Sequence, residues 1–327
     1  MQWNFFNDKD HQSGAKRYED ELFNNTDRMI DVKRIRRTRR NYLMDAINFK
    51  TNNADIVHAT FQMLAPLKLI KHPKKFLLTV HDIIPTIYFT AKEKIKTMWY
   101  LTEYAIPKAD KIITDSGFTK NELIDHLDMD EDKIHVVPLG VDDKYRPLDK
   151  DECKKRFNLD PNKKYILIVS SNEPWKNMEL ANDIIDSTGD YSFIKIGYGQ
   201  NSTNPRVINL GYIDEIEMPY LYNACDLFLH TSLHEGFGLP VLEAMACGCP
   251  VISSNSASLP EIVKGAGILL DADNVDSQER FIDNIYKVLE QDDLRKRMIE
   301  NGLKRSKEFS WNRNAKDTID VYNELME

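Results

Sequence analysis

The stretch H-T-S-L-H-E-G-F-G-L-P-V-L-E-A-M-A-C-G-C-P-V-I-S-S-N, residues 230–255, decides the fold. It begins at the end of a short apolar run, L-F-L-H, and passes a turn holding Glu235, Gly236 and Gly238. It then continues with helical character, Pro240 falling in the first turn, where its fixed φ suits a helix start, and Glu243 following. A second apolar run, P-V-I-S, comes a few residues later. Strand, glycine loop, helix and strand in this order make the unit of a parallel α/β sheet. Glycines let backbone approach an anion closely, and the N–H groups that open the helix point toward it with the positive end of the helix dipole. In an open parallel sheet such a loop lies at the carboxyl ends of the strands, where ligands bind.

Working outward, short β-rich apolar runs alternate with helical periods along most of the chain. Strands are expected at 3–6, 56–59, 76–80, 111–114, 134–137, 165–169, 192–196, 206–209, 227–230, 250–253 and 267–270. Between 138 and 161 the alternation is interrupted by Pro138, Gly140, Pro147, Pro161 and many charges, which places a domain boundary there. After 270 only amphipathic helices are expected, the last from Trp311 to Met326 with Trp311, Ala315, Ile319 and Tyr322 at helical spacing.

Composition sets the outer limits. A chain of 327 residues is long enough for two domains with separate cores. Hydrophobic residues at 42% and charged residues at 29% are globular values, and a net charge of −8 argues against a general nucleic-acid binder. Cys153, Cys225, Cys247 and Cys249 have neither CxxC pairing nor disulfide-scaffold density, so they read as small buried thiols. Residues 1–10 lack the apolar core of a signal peptide, and no apolar run reaches membrane-spanning length, which predicts a cytoplasmic protein.

The segment from 230 to 255, together with S-L-P-E-I-V at 258–263, closely resembles the donor-site signature of the retaining GT-B glycosyltransferases of the family-four (group 1) type. These are the bacterial and archaeal mannosyl- and glucosyltransferases. Glu235 and Glu243 match the E-x7-E pair of that signature. The resemblance implies two Rossmann-like α/β domains facing a cleft: residues 1–146 on the acceptor side, with the helix at 311–327 packing back on it, and 147–310 binding the nucleotide sugar. It implies that Glu243 binds the ribose hydroxyls, that Glu235 faces the transferred sugar, and that the backbone of Gly236, Phe237, Gly238 and Leu239 holds sugar and diphosphate. Lys176, in S-S-N-E-P-W-K-N, matches the lysine that neutralises the leaving diphosphate, whereas Ser171 stands where many members carry a second cation, an arginine. Gly197, Gly199, Gly211 and Tyr212 resemble loops near the nucleotide, and are equally readable as ordinary left-handed turns. In the first half, His81 closes the run L-L-T-V-H and matches a histidine near the donor sugar. Ser13 and Gly14 resemble a shortened glycine loop that reaches the phosphates.

The implied reaction transfers a hexose with retention from a nucleoside diphosphate sugar, GDP-mannose first and UDP-glucose second, to a glycan or lipid-linked hydroxyl. No cofactor and no metal are expected, because the two D-x-D spacings, Asp128 with Asp130 and Asp271 with Asp273, read as solvated turns. The rivals are a phosphorylase or sugar-nucleotide epimerase on the same fold, and a binding module without activity. A last feature lies outside the motif. K-R-I-R-R-T-R-R, residues 33–40, sets Lys33, Arg34, Arg36, Arg37, Arg39 and Arg40 in an acidic chain, and a helix over 32–49 would flank Ile35, Tyr42, Leu43, Ala46 and Phe49 with cations. Such a helix fits either peripheral contact with the anionic inner membrane face or packing on its own domain through ion pairs.

Overall fold

The computed structural model describes residues 2–5, 14–36, 47–50, 54–197, 199 and 201–327. Two compact units emerge, Met1–Gly140 with Ser310–Glu327, and Val141–Phe309. The division falls a few residues before the expected 146/147 boundary. Local bonding explains the shift: Asn223 Nδ2 donates to the carbonyl of Arg146 at 3.0 Å, and Lys144 Nζ sits 2.6 Å from Glu215 Oε1, so the segment after Gly140 is already bound to the second unit.

In the first unit, β1 (Gln2–Phe5), β2 (Lys33–Arg36), β3 (Ile56–Ala59), β4 (Lys75–Val80), β5 (Lys111–Thr114) and β6 (Ile134–Val136) form, among the described residues, a parallel six-stranded sheet of order β2-β1-β3-β4-β5-β6. Strands β3, β4 and β5 are buried on both faces, as expected where helices cover both sides of a parallel sheet. Val57, Phe76, Leu78, Val80, Ile112 and Trp99 fill one core cluster, each large side chain contributing about 1.5–3 kcal/mol by leaving water. The helix Gly14–Thr26 packs on the helix Trp311–Met326, which also lies on β4 and β5. Gly140 is where a side chain is forbidden: a Cβ there would collide with the Trp311 backbone.

Strand β2 corrects the sequence reading, which gave this segment to a helix. Lys33–Arg36 instead pairs in parallel with β1, Gln2 opposite Lys33 and Phe5 opposite Arg36. It forms the sheet edge, where charges are tolerated and discourage pairing with another chain. Arg34 forms an ion pair with Asp20 and places its guanidinium 5.2 Å from the centre of the Phe23 ring, both on the helix Gly14–Thr26. Of the remaining residues in this reading, Arg37, Arg39, Arg40, Tyr42, Leu43 and Ala46 lie outside those described, as does Ser13 of the expected glycine loop.

The second unit repeats the plan. Here β7 (Tyr165–Val169), β8 (Ser192–Ile196), β9 (Val207–Gly211), β10 (Leu227–His230), β11 (Val251–Ser254) and β12 (Ile268–Leu270) build a parallel sheet of order β12-β11-β10-β7-β8-β9 among the described residues. Ile166, Ile168, Phe193, Leu227, Leu229, Ile252 and Phe281 are central to its core. The four cysteines are free and buried, and burial pushes the Cys249 thiol up to about 12. The order of strands puts β10 and β7 side by side in mid-sheet, so the loops leaving them are neighbours.

Candidate functional site

Those two loops bring Lys176, His230 and Glu235 together. Beyond β7 the chain makes a short 3-10 turn, Pro174–Lys176, and leaves it through Asn177 in the left-handed region at φ 50°, a conformation asparagine tolerates. Beyond β10 it runs through Thr231 to Gly238. Leu233 N donates to the Trp175 carbonyl at 2.7 Å, and Thr231 Oγ1 donates to the Asn177 carbonyl at 3.1 Å, which ties the loops together. Across this seam Lys176 Nζ lies 2.8 Å and His230 Nε2 lies 3.0 Å from the same oxygen, Glu235 Oε1. Burial alone would raise the Glu235 carboxyl. The lysine charge beside it and the His230 hydrogen bond outweigh burial and hold it well below the usual carboxylate range.

The turn that aims Glu235 is braced from below. Ser258 Oγ is 2.9 Å from the carbonyls of both Glu235 and Phe237, sharing its single proton between them. Phe237 turns its ring inward, edge-on to Phe309 at 5.8 Å. Gly238 then starts the helix Leu239–Ala246 at φ 104°, where a Cβ would also come within 2.8 Å of Leu259. Pro240 occupies the first turn of that helix as the sequence indicates.

Glu243 takes a different place from the open position its expected ribose contact suggests. It is 6% exposed, and its Oε2 accepts from the buried Tyr222 hydroxyl at 2.9 Å. Gly197 and Gly211 adopt positive φ, 116° and 66°, and are joined by a hydrogen bond from Gly197 N to the Gly211 carbonyl at 2.9 Å. A Cβ on Gly197 would fall on the Ser170 carbonyl, whereas one on Gly211 would meet nothing within 4 Å. Tyr212 beside it is exposed. Next to Ser171, Asn172 Oδ1 accepts from Lys195 Nζ at 3.3 Å, so a buried cation does stand beside this loop, its pKa lowered by desolvation.

In the first unit His81 follows β4 directly. Its ring is 12% exposed, with Nδ1 2.6 Å from Asp115 Oδ2 and Nε2 3.2 Å from the Thr60 carbonyl. Asp115 follows β5, the neighbour of β4, so register alone sets the two side by side. Tyr18 meets the imidazole edge-on, ring centres 4.8 Å apart. Gly14 opens the helix that carries Tyr18 and is itself exposed. Asp115 and His230 were not singled out from the sequence. Asp115 sits in T-D-S, and its position one residue past a strand was the available signal. Of the D-x-D spacings, Asp128 ends a helix at φ 49° and Asp130 accepts from Asp132 N at 3.1 Å, while Asp271 accepts from Asn255 Nδ2 at 3.3 Å and from Asn274 Nδ2 at 3.4 Å. Among the described residues no group of three or more His, Cys, Asp or Glu side chains is arranged to hold a metal ion.

Two parallel α/β units, one with an acidic side chain fixed beside a glycine loop and a helix start, make the architecture called GT-B. Family models agree over most of the chain, "Glycosyl transferases group 1" matching residues 149–305 and "Glycosyltransferase Family 4" residues 13–145. The O-antigen chain mannosyltransferase B of Escherichia coli is 31% identical over 273 residues, covering 76% of this chain and 70% of that protein. The lipopolysaccharide core biosynthesis mannosyltransferase LpsB of Rhizobium meliloti (strain 1021) is 29% identical over 73% of this chain and 72% of its own. Sucrose-phosphate synthase from Thermosynechococcus elongatus shares the fold with a TM-score of 0.83 at 17% identity, over 100% of this chain and 99% of that one. Anabaena HepE, solved in complex with UDP and glucose, gives 0.79 at 17% identity, over 99% of this chain and 100% of its own. The chain belongs to the group 1, family 4 glycosyltransferases.

Proposed function

We propose that this glycosyltransferase moves a mannosyl residue with retention from GDP-mannose to a hydroxyl of a glycan or lipid-linked acceptor, without a metal ion. The observation that carries this reading is the pairing of Glu235 with Lys176 and His230 beside the start of the helix Leu239–Ala246. A carboxylate kept ionised is suited to a sugar carbon that gains positive charge as its bond to phosphate breaks. Lys176 and the helix N-terminus are suited to the negative charge arriving on the departing diphosphate. Glu235 acts here by electrostatics and positioning, the acceptor attacking on the face the leaving group vacates. The two mannosyltransferase relatives favour mannose over glucose as the transferred sugar.

Glu243 is proposed to reach the ribose from its place beside Tyr222, with Gly197, Gly211 and Tyr212 near the base and Gly14 near the phosphates. His81 is proposed to donate to a donor oxygen. Peripheral contact with anionic lipid on the cytoplasmic face, through Lys33 and the cations after it, is the lesser part of the proposal. Co-sedimentation with phosphatidylglycerol vesicles tests it, and absence of binding at low salt sinks it.

The direct experiment supplies purified protein with GDP-mannose or UDP-glucose, with and without glycan and lipid acceptors, and follows products by mass and anomeric configuration. Mannosyl transfer with retention, undiminished by excess chelator, is expected. Transfer from UDP-glucose alone overturns the donor, and an activity lost to chelator and restored by magnesium overturns metal independence. Phosphorolysis or epimerisation without any acceptor favours the rival reactions.

A further inference from the structure

The buried His58 and the partly buried His81 of the first unit sit in opposite settings. His58 has Nδ1 2.8 Å from the Tyr322 hydroxyl and Nε2 2.7 Å from Thr79 Oγ1. Hydroxyls can donate or accept, so a neutral ring with one N–H satisfies both bonds. His81 faces a carboxylate on one nitrogen and a backbone carbonyl on the other, and neither group has a proton to give. Both contacts are hydrogen bonds only when both ring nitrogens carry protons. The Asp115 carboxylate is itself 2% exposed, and a buried anion without a counter-charge is costly.

We propose that Asp115 is a positioning residue for the transfer reaction, fixing His81 as a cation that donates hydrogen bonds and cannot serve as a general base. The proposal rests on the reading of His81 as a donor-sugar contact. It deepens that reading by naming the species: a doubly protonated ring whose Nε2–H, at a long 3.2 Å from the Thr60 carbonyl, can be shared with a hydroxyl or phosphate oxygen of the nucleotide sugar.

The surroundings of His81 are consistent with a cation. Besides Asp115 after β5, Asp82 adjoins it in sequence. On the helix Gly14–Thr26, Tyr18 presents its ring, and Glu19 accepts a hydrogen bond from the Thr60 hydroxyl. From β3 the facing titratable group is His58, which burial keeps neutral, its pKa lowered to about 3. Gln62 accepts from His81 N at 3.3 Å, and Thr119 Oγ1 donates to the His81 carbonyl at 3.4 Å, so the main chain is held as well as the ring. Desolvation pulls the His81 pKa down, and the Asp115 charge and hydrogen bond reverse that, leaving it raised.

The test is nitrogen NMR of protein labelled in its histidine rings, His81 being assigned by loss of its signals in His81→Asn. Both His81 nitrogens are expected to show protonated-ring shifts near pH 7, and to titrate above the ordinary value of about 6.5. A neutral single tautomer near pH 7 in the wild type overturns the proposal. This result stands whether or not any sugar nucleotide is turned over, so it is separable from the function itself. Asp115→Asn should bring the His81 titration below neutrality, and its transfer rate should fall by about tenfold more near pH 8 than near pH 6. Asp115→Glu should restore part of the alkaline activity. An equal loss at every pH means that Asp115 supports only the fold, and overturns the proposal. If Asp115→Asn does not fold, the wild-type titration decides alone.

Discussion

At the scale of single residues, the charged contacts of Glu235 are the ones proposed to carry the chemistry, and a buried neutral histidine gives stability a pH response. Lys176→Ala is expected to cost about 2–4 kcal/mol at the transition state, read as kcat/KM, because it removes the cation proposed for the departing diphosphate. Wild-type turnover in a folded variant would remove Lys176 from the reaction. Glu243→Ala is a poorer probe than its motif suggests, since it also strands the buried Tyr222 hydroxyl; Glu243→Gln keeps an acceptor there. His58 makes a separate forecast about stability. Its folded value, about 3, lies below the ordinary value, so the unfolded chain binds this proton more readily between the two. Its contribution is therefore complete above about pH 6.5 and declines with acidification by up to about 1.4 kcal/mol per pH unit. Denaturant midpoints across that range should slope less in His58→Asn than in wild type. Glu235, Lys176 and His81 were legible because they sit within a dense motif or at the end of an apolar run. Asp115 and His230 were not, because strand register and a turn make their contacts, and neither follows from spacing along the chain.

At the scale of elements, apolar runs such as Y-I-L-I-V of β7 and K-F-L-L-T-V of β4 announce strands buried on both faces. K-R-I-R of β2 gives no such signal. Its chemistry is that of an edge, and its charges with Ile35 give the expectation of a helix where the chain instead pairs as a strand. The loops at the strand ends are shaped by glycines in ways that spacing hints at and geometry decides. Gly197→Ala meets both a positive φ and the Ser170 carbonyl, while Gly211→Ala meets only the φ. The first should therefore lower stability by about 2 kcal/mol or more and the second by about 1. Equal melting temperatures for the two variants would show that the close approach of β7 and β8 does not constrain Gly197.

At the scale of the whole molecule, the alternation of runs and the proline-rich interruption made two α/β units legible, while the point of division depended on hydrogen bonds of Arg146 and Lys144 that sequence does not display. The first unit is assembled from two separate pieces of chain, and the second from one. A protein ending at Phe309 is expected to keep the thermal transition of Val141–Phe309 and to lose that of the first unit, because the helix Trp311–Met326 covers β4 and β5. A first unit that still melts cooperatively without this helix would contradict that dependence. The same layout gives folding a direction in time. As a chain emerges from the ribosome, everything needed for the second unit appears before the first unit is complete, since domains fold as units once their residues are available. Until the last helix arrives, His58 lacks Tyr322, the hydroxyl at one end of a buried ladder that continues through Thr79 to Tyr18 and the His81 ring. A nascent chain therefore gains a folded second unit early, while the setting of His81 is finished only once the helix Trp311–Met326 has been made.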